Sequence, residues 1–187
     1  MTERAFIVDK QLQRILLSAD SELSRELSNA ATDKNDLLLS MQAIVNAIVD
    51  PKSTQSKQTL SIVNTSSHYV NWYKLILATF TNMQSVAQVA ASSAQEDNLL
   101  VNRAGRGFTL QVTQQPLKQA DAFIIVSFEQ LTKEQQENEL FLHCIWEQQL
   151  YVISFGVPIE NRAQSLVSMQ DKAFIAIANP ESHLYLT

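Results

Sequence analysis

The chain has 187 residues, 45% of them apolar and 18% charged, and a formal net charge of −5. That is enough apolar material for one domain with its own core, and too much for a disordered chain. The acidic balance disfavours a broad nucleic-acid role, which needs clustered Lys and Arg to neutralise phosphates.

Cys144 is the single cysteine, so no disulfide can form within the chain. The opening MTERAFIVDKQLQR carries Glu3 and Asp9 and lacks the basic flank, apolar run and cleavage site of a signal peptide. Both features point to the cytoplasm, with signal-independent export left open. Glycine occurs only at Gly105, Gly107 and Gly156. Glycine-rich phosphate loops are thereby nearly excluded, and turns that need positive φ fall to other residues.

The apolar period changes near residue 105, from spacings of three and four to alternation. This predicts an α+β fold in a single domain, 1–187. About three helices, one of them long, fill the half from 1 to about 100. They pack on a largely antiparallel sheet of about five to six strands in the half from about 105 to 187.

In chain order, Leu12, Leu16, Leu23 and Leu27 mark a first helix from about Asp9 to Asn29. Leu37, Met41, Ile44, Val45 and Ile48 mark a second from about Lys34, which Pro51 ends. Residues 50–59 read as a polar loop, and Leu60–Val63 as a short strand or lead-in turn. Thr65, Ser66 and Ser67 are N-cap candidates for a third helix.

That third helix is predicted to be long. Tyr69, Tyr73, Ile76, Phe80, Met83, Ala87, Ala90 and Ala94 recur in steps of four and three, a heptad-like seam that tapers from aromatics to alanines. A helix of about 26 residues would be roughly 39 Å long. Residues Leu75 to Ala94 carry no charge. They are nearly long enough to span a bilayer, yet too rich in Ser, Thr, Asn and Gln for a lipid-facing helix.

Strands are predicted near Phe108–Gln114, Ala122–Phe128, Glu139–Trp146 and Leu150–Phe155, the last two as a hairpin around Glu147-Gln148-Gln149. TKEQQENE is a charged connection with a short helical turn. Pro158 opens a short helix to about Met169, with Ala163, Leu166 and Val167 inward. AFIAIA and LYL then supply two last strands.

Chemistry is thin. His68, His143 and His183 make no metal spacing with each other, Cys144 or a carboxylate, so neither a metal nor a cofactor is expected. His143 and Cys144 are neighbours on one strand and point to opposite faces, which bars them from acting as base and nucleophile. Cys144 reads as a buried core thiol and His143 as a surface or edge histidine. Arg103 and Arg106 flank Gly105 in a turn that could contact an anion. Trp72, Tyr73, Trp146 and Tyr151 would meet where helix joins sheet and could line an apolar pocket.

The preferred expectation is a non-catalytic interaction or accessory protein that binds a helical partner or itself. Its contact would be the long helix, through Ile76, Phe80, Met83, Ala87, Ala90 and Ala94. A membrane-active, toxin-type component inserting the 75–95 helix and a sensor of an apolar small molecule are the alternatives.

Overall fold

A computed structural model describes residues 39–81, 83–85, 99–115 and 120–187. The predicted first helix and Ala87, Ala90 and Ala94 lie outside them. The architecture is α+β, as expected. Among the described residues three helices come first: α1 (Met41–Val49), α2 (Thr54–Val63) and α3 (Ser67–Phe80). Eight strands follow: β1 (Gln84–Ser85), β2 (Leu99–Ala104), β3 (Phe108–Gln114), β4 (Asp121–Phe128), β5 (Leu140–Trp146), β6 (Gln149–Gly156), β7 (Arg162–Ser168) and β8 (His183–Leu186). A short α4 (Lys133–Glu137) joins β4 to β5, and α5 (Lys172–Ala178) joins β7 to β8.

The strands form two antiparallel sheets of four, β1-β8-β5-β6 and β2-β3-β4-β7, instead of one sheet of five to six. A sequence pattern shows which residues alternate, but not where the chain crosses from one sheet to another. The described strands change sheet four times in chain order, at β1–β2, β4–β5, β6–β7 and β7–β8, the third of these through a short turn. Gly156 adopts a φ of 72°, and Glu160 and Asn161 then make a tight turn between the bridged residues Ile159 and Arg162.

Two cores lie on opposite faces of the first sheet. Leu142, Cys144, Ile153, Leu184 and Leu186 share one core with Leu110, Val112, Ile124 and Val126 of the second sheet. On the other face, Ile145, Leu150 and Tyr185 pack with Ile44, Ile48, Val70, Tyr73 and Leu77 of the helices. Alternation on β5 distributes its residues between the two cores.

Each helix start has a side-chain cap that satisfies a free backbone N–H. Ser40, Ser53 and Ser66 accept from Ala43, Ser56 and His68 N–H, at 3.1, 3.1 and 3.2 Å. α2 replaces the predicted polar loop. Its buried stripe is Ser56, Thr59 and Val63, so the helical face is made of small hydroxyl residues and shows little apolar periodicity.

The long helix is not formed. α3 ends at Phe80, and Thr81 is extended at φ −132° and ψ 139°. The Thr79 hydroxyl donates back to the Ile76 carbonyl at 2.6 Å, a local bond that weakens a helix end. The Thr81 hydroxyl donates to the Leu186 carbonyl and accepts from Met83 N–H. Gln84 and Ser85 then pair with Tyr185 and Leu184. The seam is numerically continuous through Met83, but Met83 belongs to the core between the sheets, whereas Tyr73 and Ile76 belong to the helical core.

Two more elements change type. The helix predicted after Pro158 is strand β7, in full register with β4. AFIAIA is helix α5, capped by Asp171, whose carboxylate accepts from Ala173 N–H at 2.9 Å. Phe174, Ala176 and Ile177 are buried while Ile175 is exposed. Burial of both 174 and 177 is the three-residue spacing of a helix.

Candidate interaction surface

Of the candidates for chemistry, His143 and Cys144 are enclosed, whereas His68 and His183 are partly exposed. His143 is fully buried, not at a surface or edge. β5 runs between β8 and β6, and α3 covers its helical face, so no route to solvent remains there. His143 Nδ1 lies 3.0 Å from the Tyr73 hydroxyl and Nε2 lies 2.9 Å from the Thr187 hydroxyl. A neutral ring donates through one nitrogen and accepts through the other, and each hydroxyl can answer in either role. Burial pushes the imidazole down to about 3 and raises the Tyr73 hydroxyl well above its usual range.

Cys144 faces the other core. Burial pushes its thiol up to about 12, against smaller downward effects of the Ser182 hydroxyl and the Arg103 charge. A thiol held protonated is a poor nucleophile.

Arg103 is not in a turn but on β2, directed inward and only 1% exposed. Its Nη1 donates to the carbonyls of Ile177 and Asn179 and to the Ser182 hydroxyl, at 3.3, 3.0 and 2.6 Å. Its Nη2 donates to the Ser182 carbonyl at 2.7 Å. These acceptors lie at the C-terminal end of α5 and just beyond, where a cation is favoured. Arg106 is exposed in the β2–β3 turn, so the two arginines do not converge on an anion. The turn itself needs its glycines: Gly107 has a φ of 80°, and a Cβ on Gly105 would lie 2.4 Å from the Phe108 ring.

The four aromatics do not line one pocket. Trp72 and Tyr73 pack with the helical core, and Trp146 and Tyr151 with the core between the sheets. The first sheet separates them, because Trp146 shares the face of Cys144 and Tyr151 pairs with Cys144. A shallow cleft of about 230 Å³ lies between α1 and α2, lined in part by Asn46, Asp50, Ser53 and Ser56. Its polar groups already bond one another, as in Ser53 Oγ to Ser56 Oγ at 2.8 Å. Among the described residues no three His, Cys, Asp or Glu side chains group as metal ligands, and no helix is long and apolar enough to cross a membrane.

Of the predicted helical contact, only Ile76, Phe80 and Met83 fall among the described residues. Tyr73, Ile76 and Met83 are buried, and Tyr69 and Phe80 pack against the helical core.

A different surface is partly exposed, although Ile125 within it is buried. The outer face of the second sheet carries the row Asn102–Gln111–Ile125–Gln164 and, beside it, Thr113–Phe123–Leu166. Neither row holds an ionisable side chain. Leu166 is 50% exposed, and Leu100, at the β2 irregularity, is 41% exposed. On β3, Thr109, Gln111 and Thr113 alternate with the buried Phe108, Leu110 and Val112, a pattern already visible in the sequence. The sequence placed Leu166 inward, because β7 was read with helical spacing.

Comparison of the chain with protein-family models, curated proteins and solved structures yields no match in any of the three.

The edges of the two sheets are treated differently. On β6, Asn64 at the end of α2 imitates a neighbouring strand: its Nδ2 donates to the Leu150 carbonyl at 2.9 Å and its Oδ1 accepts from Leu150 N–H at 2.7 Å. At the two ends of the β4–β7 ladder, Phe128 N–H donates to the Asn161 carbonyl and Met169 N–H to the Ala120 carbonyl. By alternation, Ala163, Ser165 and Val167 bond to β4, and the backbone groups of Gln164, Leu166 and Ser168 point away from it. No described strand pairs with that side.

Proposed function

We infer that the protein is a non-catalytic interaction protein that docks a protein partner on the outer face of its second sheet. The observation that carries this reading is the pair of uncharged rows across that face, with Leu166 half-exposed among amides and hydroxyls. A sheet face that stays in water usually carries charge for solubility. Amides and hydroxyls can bond across an interface without the desolvation cost of ions, and Leu166 and Phe123 supply apolar area beside them. Enclosure of Cys144, His143 and Tyr73 supports a role without covalent or acid–base chemistry.

Site-specific photocrosslinking in cells tests the reading. A benzophenone side chain at Gln111 is expected to give discrete protein adducts, and the same group at Gln58, exposed on α2, is not. Adding Leu166→Lys is expected to remove the Gln111 adducts. Equal labelling at both positions, or no discrete adduct at Gln111, overturns it.

A further inference from the structure

We propose that the chain also pairs with a second copy of itself, joined edge to edge through β7 in an antiparallel two-fold arrangement centred on Leu166. The inference goes beyond the interaction reading above: it uses the β7 edge and leaves the outer face free.

Among the described residues no strand pairs with the outer edge of β7, although β6 passes near it. Natural edge strands are blunted by Lys, Pro, bulges or a covering element. From Ala163 to Met169 the sequence AQSLVSM has no charge and no proline, and the β4–β7 register is unbroken from Asp121–Ser168 to Ser127–Arg162. The first sheet has Asn64 against its β6 edge; no described residue does this for β7.

The strand is self-complementary. A two-fold axis at Leu166 sets Leu166 opposite Leu166 of the second copy and Gln164 opposite its Ser168. These are the residues whose backbone groups already point outward, so all three pairs are of the hydrogen-bonded type, giving about six N–H···O bonds. The two leucines then lie on one face as a direct cross-strand pair, with Phe123 as the β4 neighbour of each. The charge pattern fits as well. Arg162 stands at one end of the strand and Asp171 just past the other, so the antiparallel arrangement brings opposite signs together at both ends and no like charges face each other. The product is one continuous sheet of eight strands whose outer face is uncharged around the Leu166 pair, with Asp121 and Arg162 at the ends of the flanking rows. Isologous pairing of this kind closes after two copies and does not propagate.

Sedimentation equilibrium on the purified full chain tests the proposal. The wild type is expected to dimerise. Gln164→Pro removes one outward N–H and none that bonds to β4, a substitution that edge strands tolerate. It is expected to raise the dimer dissociation constant more than about tenfold with little change in melting temperature. Leu166→Lys and Leu166→Glu should each be monomeric, and an equimolar mixture of the two should dimerise again. If Gln164→Pro unfolds, the exposed Leu166 pair still decides the matter. A wild type that is monomeric throughout, or a dimer that survives Leu166→Lys, overturns the self-pairing. Gln111 lies two strands in from that edge, so its adducts test the face reading separately, and that reading stands or falls without the self-pairing.

Discussion

The Tyr73 hydroxyl sits 3.0 Å from His143 Nδ1, joining α3 to the middle of the first sheet inside an otherwise apolar core. With Thr187 on the other nitrogen, it completes a polar chain whose members satisfy one another. Removing the Tyr73 hydroxyl leaves one ring nitrogen without a partner. Tyr73→Phe is expected to cost about 1–3 kcal/mol, measured by urea denaturation, with no change in the slope of the transition.

The same histidine makes stability depend on pH. Its folded value is about 3 and its ordinary value 6.5. As pH falls below 6.5 the unfolded chain takes up a proton that the folded chain refuses. The contribution of His143 is complete above pH 6.5 and is lost as pH falls toward 3. The slope is up to about 1.4 kcal/mol per pH unit. Melting temperature should fall from about pH 6.5 to about pH 5, ahead of the usual carboxylate range. His143→Gln should be less stable at neutral pH and show a shallower fall. An unchanged profile in that variant would remove His143 as the cause.

Arg103 holds the turn between α5 and β8 through four acceptors. Arg103→Met leaves several buried carbonyls without donors and is expected to cost about 3–5 kcal/mol, on the scale of a broken buried polar network. Arg103→Lys should rescue little, because a single ammonium cannot reproduce the planar fork. Guanidinium denaturation of the three proteins checks both statements.

The β5–β6 hairpin turns on Glu147 and Gln148, both at positive φ, 46° and 59°. A two-residue turn of this kind favours Asn-Gly, since other side chains are strained there. The double substitution Glu147→Asn, Gln148→Gly is expected to stabilise the fold by about 0.5–1 kcal/mol, read as a rise in melting temperature.

Cys144 should not react with a thiol reagent in the native state. Its thiol is buried and held protonated. In denaturing guanidinium the one thiol per chain should label at once. Rapid native labelling would contradict the enclosure of this residue.

Several strands were legible because their side chains meet two distinct environments. Phe108, Leu110 and Val112 alternate with Thr109, Gln111 and Thr113, and the predicted strand has the observed limits. AFIIVSF is apolar on both faces and forms most of central β4. What escaped were faces that apolar counting does not register. α2 buries Ser56 and Thr59, which look like solvent-facing residues in a sequence. His143 has apolar neighbours on both sides in FLHCIW, a sign of a central strand, but one residue's polarity outweighed it. Arg103 follows the inward parity of Val101, and its charge hid that. The seam from Tyr69 to Met83 shows the opposite error: spacing alone extended a helix through Thr79 and Thr81, where hydroxyls compete for the backbone. The outer face was visible on β3 alone, since its β7 half required knowing that Leu166 is on a strand.

Arg103 begins on an outer strand of one sheet and ends on the connection that delivers the innermost strand of the other. It acts as a rivet between two layers that could otherwise peel apart separately. Amide hydrogens of β2 and β8 should therefore exchange through a shared opening event, and severing the rivet should split them into fast and slow classes.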